Sequence, residues 1–535
     1  MIQPLKTTAF FLLVASLLLP GCGGGESEAT GADAGGDISG GIIELQDAGS
    51  GAVDGAEVDA LDMSGGEDSS DPDAQAPDAQ APDAQVPMDG SVEDLLDPED
   101  TTVPDAGPMS SELAIDCDDS SQSIYVTPSS ALEPDVALGA VSTCTSDNTW
   151  SVSWMNNSLS AVGQEANYGI QELRISYRTE RSSGAPGAST AFILLPEPRP
   201  AEPMPTIVWA HGTAGLADGC APTNYPGYYG YLPYTFAAQG YAVIGPDYAG
   251  LGNEGIQGYG DARDTAYSLL DAPAALGAVL GPNRLSGEVI MIGHSQGGGA
   301  VLYAQALEKE HPVEGELMGV IDIAGDIVTD DVLSPNQWTY WNLVPANYAQ
   351  GTSASFLVLY VFAHLANTWG EEEADSFFGP EWKETVTGWI ETQCIFDLIQ
   401  SFNSLAPTVM FDDIFDPSFP AGVLACIEED PLCQEPYATY VSTLKAHLHP
   451  SDPEGARVAI FAGMLDTLTT PEELSCTVDT MAQWGVVADL CVHPLATHSS
   501  IVEGGIGDAL AWTEAVLKGE AAPPCSKNGA LPLCP

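Results

Sequence analysis

The chain has 535 residues, 44% of them hydrophobic, with 13 Lys and Arg against 76 Asp and Glu, a formal net charge of -63. That length accommodates one large catalytic domain with appendages. The charge argues against nucleic acid as a partner, because phosphate contacts need clustered cations. The same acidity favours solubility and says little about fold.

Taken in chain order, the first predicted element is an export signal. Lys6 supplies a positive start and Thr8 to Leu19 an apolar run too short to cross a bilayer as an ordinary helix. The run ends Leu19-Pro20-Gly21-Cys22, which resembles the lipobox of bacterial lipoproteins. That resemblance implies a signal over 1–21 and an acylated Cys22, hence a lipid anchor in a membrane. Gly23 follows rather than Asp, so the expected destination is the outer membrane or the cell surface. Residues 22–112 read as a disordered acidic tether, free of Lys and Arg and carrying the repeat Pro72-Asp-Ala-Gln-Ala, Pro77-Asp-Ala-Gln-Ala, Pro82-Asp-Ala-Gln-Val. Such a composition buries too little apolar surface to offset chain entropy.

The globular domain is drawn from 113 to 525, with 526–535 as a C-terminal tail. Gln171 to Thr179 and Thr190 to Leu195 predict a hairpin. Thr206 to Ala210 is a buried strand that runs into His211-Gly212-Thr213. Tyr231 to Gln239 is a helix, Tyr241 to Gly245 a strand, and Asp261 to Leu280 a helix broken or kinked near Pro273. Val289 to Gly293 is a strand, and Gly298 to Leu307 a small-residue helix. Leu317 to Ile323, Arg457 to Ala462 and Val487 to Val492 supply further strands. Helices follow at Pro471 to Gln483 and Ile506 to Leu517. Alternating apolar strands and helices predict an α/β fold, a mainly parallel sheet covered on both faces. Between about 326 and 450 the alternation gives way to a helical insertion rich in aromatics, among them Trp338, Tyr340, Trp341, Phe362, Phe377 and Phe378. Two readings of it stand: a lid lining an apolar substrate site, or a subdomain packing its own core.

The junction of the Val289 strand with its helix reads Gly293-His294-Ser295-Gln296-Gly297, the pattern G-x-S-x-G. In strand–turn–helix context this is a nucleophile elbow, and Ser295 is the candidate nucleophile. A serine hydroxyl needs an imidazole base, and the base a carboxylate that fixes its tautomer. Asp466 follows the Arg457 strand and is the candidate acid, with Asp322 and Asp326 as alternatives. His498 follows the last strand and is the candidate base, while His493 is read as structural. A developing oxyanion needs N–H donors. These are expected from Gln296 and from Thr213, with Gly212 as second choice. No metal site has recognisable ligand spacing, and the chemistry calls for no cofactor. Of the 11 Cys, ten remain once Cys22 is set aside. Proximity pairs Cys117 with Cys144, Cys426 with Cys433, Cys476 with Cys491 and Cys525 with Cys534, leaving Cys220 for Cys394.

From about Gln171 to Leu517 the chain resembles the α/β-hydrolase superfamily, and within it the secretory lipase family. The stretches that carry the resemblance are Val208 to Thr213, Gly240 to Gly252 with Asp247, Asp261 to Ala275 with Asp271, and Gly293 to Gly299. It implies an α/β-hydrolase fold with a cap over an acyl-binding cleft, and cleavage of carboxylic esters such as acylglycerols. Asp247 and Asp271 are expected to be structural. The tether and the Cys-rich tail lie outside the family pattern. A peptidase of the same superfamily and an inactive surface binding protein are the rival readings. Oligomeric state stays open.

Overall fold

The computed structural model describes residues 112–225, 229–325, 352–447, 449–527 and 529–534. The export signal, Cys22 and nearly all of the tether lie outside them, as do Asp326, Trp338, Tyr340 and Trp341. No helix among the described residues is long and apolar enough to cross a membrane.

The strands are β1 (Val141–Trp150), β2 (Gly169–Glu180), β3 (Pro186–Glu197), β4 (Met204–Ala210), β5 (Ala242–Pro246), β6 (Leu285–His294), β7 (Glu316–Ile323), β8 (Arg457–Gly463) and β9 (Asp489–His493). They form one sheet in the order β1-β2-β3-β5-β4-β6-β7-β8-β9. The first three pair antiparallel, and β3 meets β5 antiparallel. From β5 onward every pair is parallel. Strands such as β4 and β5 carry almost unbroken burial, as a sheet covered on both faces requires. One core cluster holds Leu173, Val208, Ile244, Leu276 and Met291; the other holds Phe192, Ile207, Phe236, Ile292 and Trp512. These alternate along the strands and fill the two faces. The fold is thus the α/β-hydrolase arrangement expected from the sequence.

The covering helices are α1 (Val152–Leu159), α2 (Tyr231–Gln239), α3 (Ala262–Leu280), α4 (Gln296–Leu307), α10 (Pro471–Gln483) and α11 (Ile506–Leu517), with α5 to α9 in the insertion. Helix α3 continues through Pro273, so of the break or kink expected there the break does not occur. Most of α3 is buried against the sheet and α4, and Asp261 caps its N-terminus by accepting from the Arg263 and Asp264 N–H groups. Packing along the whole helix outweighs the single hydrogen bond that the proline removes.

The described part of the insertion is helical: α5 (Thr352–Trp369), α6 (Lys383–Thr392), α7 (Ile395–Asn403), α8 (Ser418–Ile427) and α9 (Tyr437–Lys445). Its aromatics are mostly spent on a core of its own, where Phe362, Phe377, Phe378, Phe402, Phe415 and Phe419 are buried together. Of the two readings, self-packing therefore accounts for most of these side chains. This core includes Leu216 and touches Tyr259, both from the loops above the sheet.

Insertion and sheet domain are joined by polar contacts. Arg181 donates to Asp264 at 2.6 Å and to Asn367 on α5 at 2.8 Å. His364 of α5 lies against His447 and Tyr360, with ring centroids 4.7 and 4.4 Å away, and His447 Nδ1 is 3.5 Å from the Asp261 carboxylate. Burial, aided by His447, holds the His364 imidazole down at about 3. In the unfolded chain it takes a proton near its ordinary value of about 6.5. Below that value the unfolded state holds a proton that the native state refuses, so stability drawn from neutral His364 falls as pH falls, by roughly 1.4 kcal/mol per unit. Melting temperatures of His364→Phe and the parent should therefore diverge in favour of the variant between pH 7 and 4.5. A constant gap across that range contradicts the assignment.

Two of the five expected cysteine pairings are corrected. Cys117–Cys144, Cys220–Cys394 and Cys426–Cys433 form as expected. The other four cysteines pair as Cys476–Cys534 and Cys491–Cys525. The C-terminal residues run back over the domain, with the Gly529 N–H on the Val492 carbonyl at 3.1 Å and the Ser475 hydroxyl on that of Pro532 at 2.7 Å. That path brings Cys525 to β9 and Cys534 to α10. Nearest neighbours in sequence are then not nearest in space, and the segment 526–534 is laced to the domain.

Candidate active site

Ser295 stands between β6 and α4 with φ 55° and ψ -117°, a conformation that L-residues seldom adopt. Its N–H donates to the Ile323 carbonyl of β7 at 3.0 Å, and its own carbonyl accepts from the Gly299 N–H at 3.2 Å. Such strained geometry costs of order 1–3 kcal/mol and persists where the surroundings impose it. The glycines around it explain how the turn closes. A Cβ at Gly293 would lie 2.0 Å from the Gly297 carbonyl oxygen, and one at Gly297 would lie 2.0 Å from that of Ala210. Strand, turn and helix meet with no room for a methyl group.

Asp466 and His498 come from the loops after β8 and β9. The Leu465 N–H donates to the Ala496 carbonyl at 2.9 Å and that of Met464 to the His493 carbonyl at 3.0 Å, so the two loops are bound together. The buried Asp466 carboxylate accepts the Leu468 and Thr469 N–H groups on Oδ1, at 2.8 and 3.1 Å. Its Oδ2 faces His498 Nδ1 at 2.9 Å. With an ionised carboxylate as acceptor, Nδ1 carries the proton and Nε2 keeps its lone pair. The His498 side chain is 13% exposed, so the ring is sheltered but reachable.

The loop after β4 closes over the serine. A Cβ at Gly212 would sit 3.5 Å from Ser295 Cβ, so the backbone at Gly212 passes directly beside Ser295. The Thr213 hydroxyl pairs with the Tyr259 hydroxyl at 2.9 Å. His211 beneath is buried, its Nδ1 2.6 Å from the Gly212 carbonyl and its Nε2 3.3 Å from that of Asp247. Burial pushes His211 down to about 4, which keeps it neutral under the loop. Asp247 accepts from Thr190 at 2.6 Å and from the Thr223 N–H at 3.1 Å. Burial pushes its carboxyl up to about 7 despite these donors. Gln296, the first residue of α4, presents its N–H at the helix N-terminus, where backbone donors lack helical partners.

The other acids serve elsewhere. Asp322 Oδ1 accepts the Gly325 N–H at 2.7 Å and would lie 2.1 Å from a Cβ at Gly298, which places it behind the elbow. Asp271 accepts from Thr179 and faces His311 Nε2, each at 2.7 Å. His493 Nε2 faces Asp508 at 3.1 Å. Among the described residues one set of metal-type ligands gathers: Cys491, His493, Asp508 and Cys525, with ligand atoms within 4.8 Å of one another. Its two sulfurs are joined in a disulfide, which removes the thiolates a metal would take.

One group at the site was not singled out from the sequence. His294, the first variable position of G-x-S-x-G, has Nε2 2.8 Å from the main-chain carbonyl of His498. A motif written with x at that position hides its side chain.

The chain has the α/β-hydrolase fold, with Ser295, Asp466 and His498 at the carboxyl ends of β6, β8 and β9. Residues 207–461 match the sequence model of an alpha/beta hydrolase family. Among solved structures, the rice cell wall degrading esterase LipA from Xanthomonas oryzae is similar at 18% identity and a TM-score of 0.54, over 71% of this chain and 97% of that one. Candida antarctica lipase A in its closed state is similar at 17% identity and a TM-score of 0.56, over 76% and 89%. A protein from Legionella pneumophila matches at 16% identity and a TM-score of 0.54, over 71% of this chain and 99% of that one. A comparison with curated protein sequences finds no match.

Proposed function

We propose that the protein is a serine hydrolase of carboxylic esters, exported and held to a membrane through an acylated Cys22. The observation that carries the catalytic reading is the 2.9 Å contact between Asp466 and His498, tied to the elbow through His294. Ser295 Oγ attacks the ester carbonyl carbon as His498 Nε2 takes its proton. The oxygen of the tetrahedral intermediate is held by the N–H groups of Gln296 and Thr213, with Gly212 as an alternative to the second. His498 then protonates the departing alcohol, leaving an acyl-Ser295. Water attacks that ester with His498 again as base, and the carboxylic acid leaves.

The rim favours apolar esters, acylglycerols among them. Leu465, Leu468 and Leu495, on the two loops that carry Asp466 and His498, are 52%, 42% and 83% exposed. The names of the similar structures, an esterase and a lipase, point the same way. Five disulfides suit an oxidising compartment, in keeping with export. A series of p-nitrophenyl esters from acetate to palmitate tests the substrate class. Turnover that requires Ser295 and rises toward long chains is expected. A maximum at acetate would replace the lipase reading with a short-chain esterase, and no Ser295-dependent turnover on any ester would overturn the proposal.

The insertion also bears on the oxyanion loop. Cys220 is bonded to Cys394, and the Ile395 N–H at the start of α7 donates to the Ala214 carbonyl at 2.9 Å. The double variant Cys220→Ser/Cys394→Ser should lose about tenfold in kcat by loosening the loop next to Thr213, beyond a lowered melting temperature. Unchanged kcat below the melting transition contradicts that coupling.

A further inference from the structure

We infer that His294 is a positioning residue for the base: its imidazole donates a hydrogen bond to the main-chain carbonyl of His498 and so fixes the base loop to the elbow strand. The inference rests on the reading of Ser295 and His498 as nucleophile and base. His498 is held from its ring side by Asp466, a contact within the pair of loops after β8 and β9. Those loops lie two and three strands from β6, whose last residue precedes Ser295, so a direct link to the elbow must come from elsewhere. The His294 contact at 2.8 Å supplies that link, because His294 is the last residue of β6 and precedes the nucleophile directly.

The chemistry defines the state of the ring. A carbonyl oxygen only accepts, so His294 Nε2 bears the hydrogen and neutral His294 keeps its lone pair on Nδ1. Nδ1 faces the other side of the site, 3.3 Å from where a Cβ of Gly212 would stand. The imidazole therefore fills the space between the oxyanion loop and the base loop. Its ring centroid is 4.8 Å from that of His498, at 48°. A cation there would oppose the imidazolium that forms on His498 during catalysis. Burial, reinforced by His498 itself, holds His294 down at about 4, so it stays neutral where esters are turned over. His498, Asp466 and the Gly212 loop are the charged and polar groups that face it. A neutral strut that donates once suits the task better than a lysine, whose charge would oppose the imidazolium.

The test compares three variants of the full-length protein on one p-nitrophenyl ester. His294→Leu removes the donor, His294→Asn retains an amide too short to reach the carbonyl, and His294→Gln carries an N–H at nearly the reach of Nε2. Expected are falls in kcat of about ten- to a hundredfold for Leu and Asn, with KM within twofold, since misplacement by an ångström costs about that much. Gln should recover to within about threefold of the parent. Equal losses in Asn and Gln, or parental kcat in Leu, would overturn the inference. If Leu fails to fold, the Asn–Gln comparison alone decides. Ser295→Ala, run alongside, separates the two levels: activity that survives it removes the reading of the site, whereas its loss with parental His294 variants removes only this inference.

Discussion

Ser295→Ala is expected to lower ester turnover by about four to six orders of magnitude while leaving the melting temperature within a degree or two of the parent. The size follows from losing the nucleophile, because the remaining groups can only stabilise charge and orient substrate. The near-neutral stability follows from the elbow. Alanine keeps the Cβ that the serine already carries at φ 55°, so the strain neither grows nor is relieved. The main-chain bonds to Ile323 and from Gly299 are unaffected by the side chain. Assay of the purified variant against a p-nitrophenyl ester, with its thermal melt, checks both parts. Residual turnover within a hundredfold of the parent would move the nucleophile elsewhere.

The second large effect is expected at Asp466. In Asp466→Asn the amide oxygen can still accept from the Leu468 and Thr469 N–H groups, so the loop has a reason to keep its shape. The NH2 group must then face His498 Nδ1, where the carboxylate Oδ2 stood. A donor there requires an unprotonated Nδ1. The ring answers by carrying its proton on Nε2, the nitrogen that must accept from Ser295. The expected fall in kcat is about a thousand- to ten-thousandfold, with little change in KM. Asp466→Ala should be no milder in kcat and should lose stability as well, since two loop N–H groups lose their acceptor. Near-parental kcat in the Asn variant would mean that another carboxylate orients His498. Asp322, occupied behind the elbow, would be the first to re-examine.

What the sequence made legible is what short-range chemistry dictates. The elbow could be read because its motif is short and local, with Gly293 against Gly297, even though Gly297 itself answers to the distant Ala210. The parallel sheet could be read because its strands are apolar without alternation. The order of nucleophile, acid and base along the chain pointed to strand ends, and Asp466 and His498 meet there. What escaped depends on contacts distant in sequence. β1 has an irregular burial pattern and is a strand through its pairing with β2. The partners of Cys476 and Cys491 depend on the return of the C-terminal segment over β9, which no spacing encodes. Pro273 signals a break or kink by local rules, and burial of most of α3 keeps the helix continuous. The aromatics of the insertion look alike in sequence whether they line a cleft or fill a core, and Phe377, Phe378 and Phe419 fill a core. His294 shows its role only when the carbonyl of His498, some two hundred residues on, is placed against it.

An activated Ser295 reacts with a fluorophosphonate probe, and peptide mass mapping of the intact protein after labelling locates the adduct. One adduct per chain is expected, on Ser295, and its formation should slow by orders of magnitude in Asp466→Asn. No adduct, or an adduct on a different residue, would contradict the role of Ser295 as nucleophile.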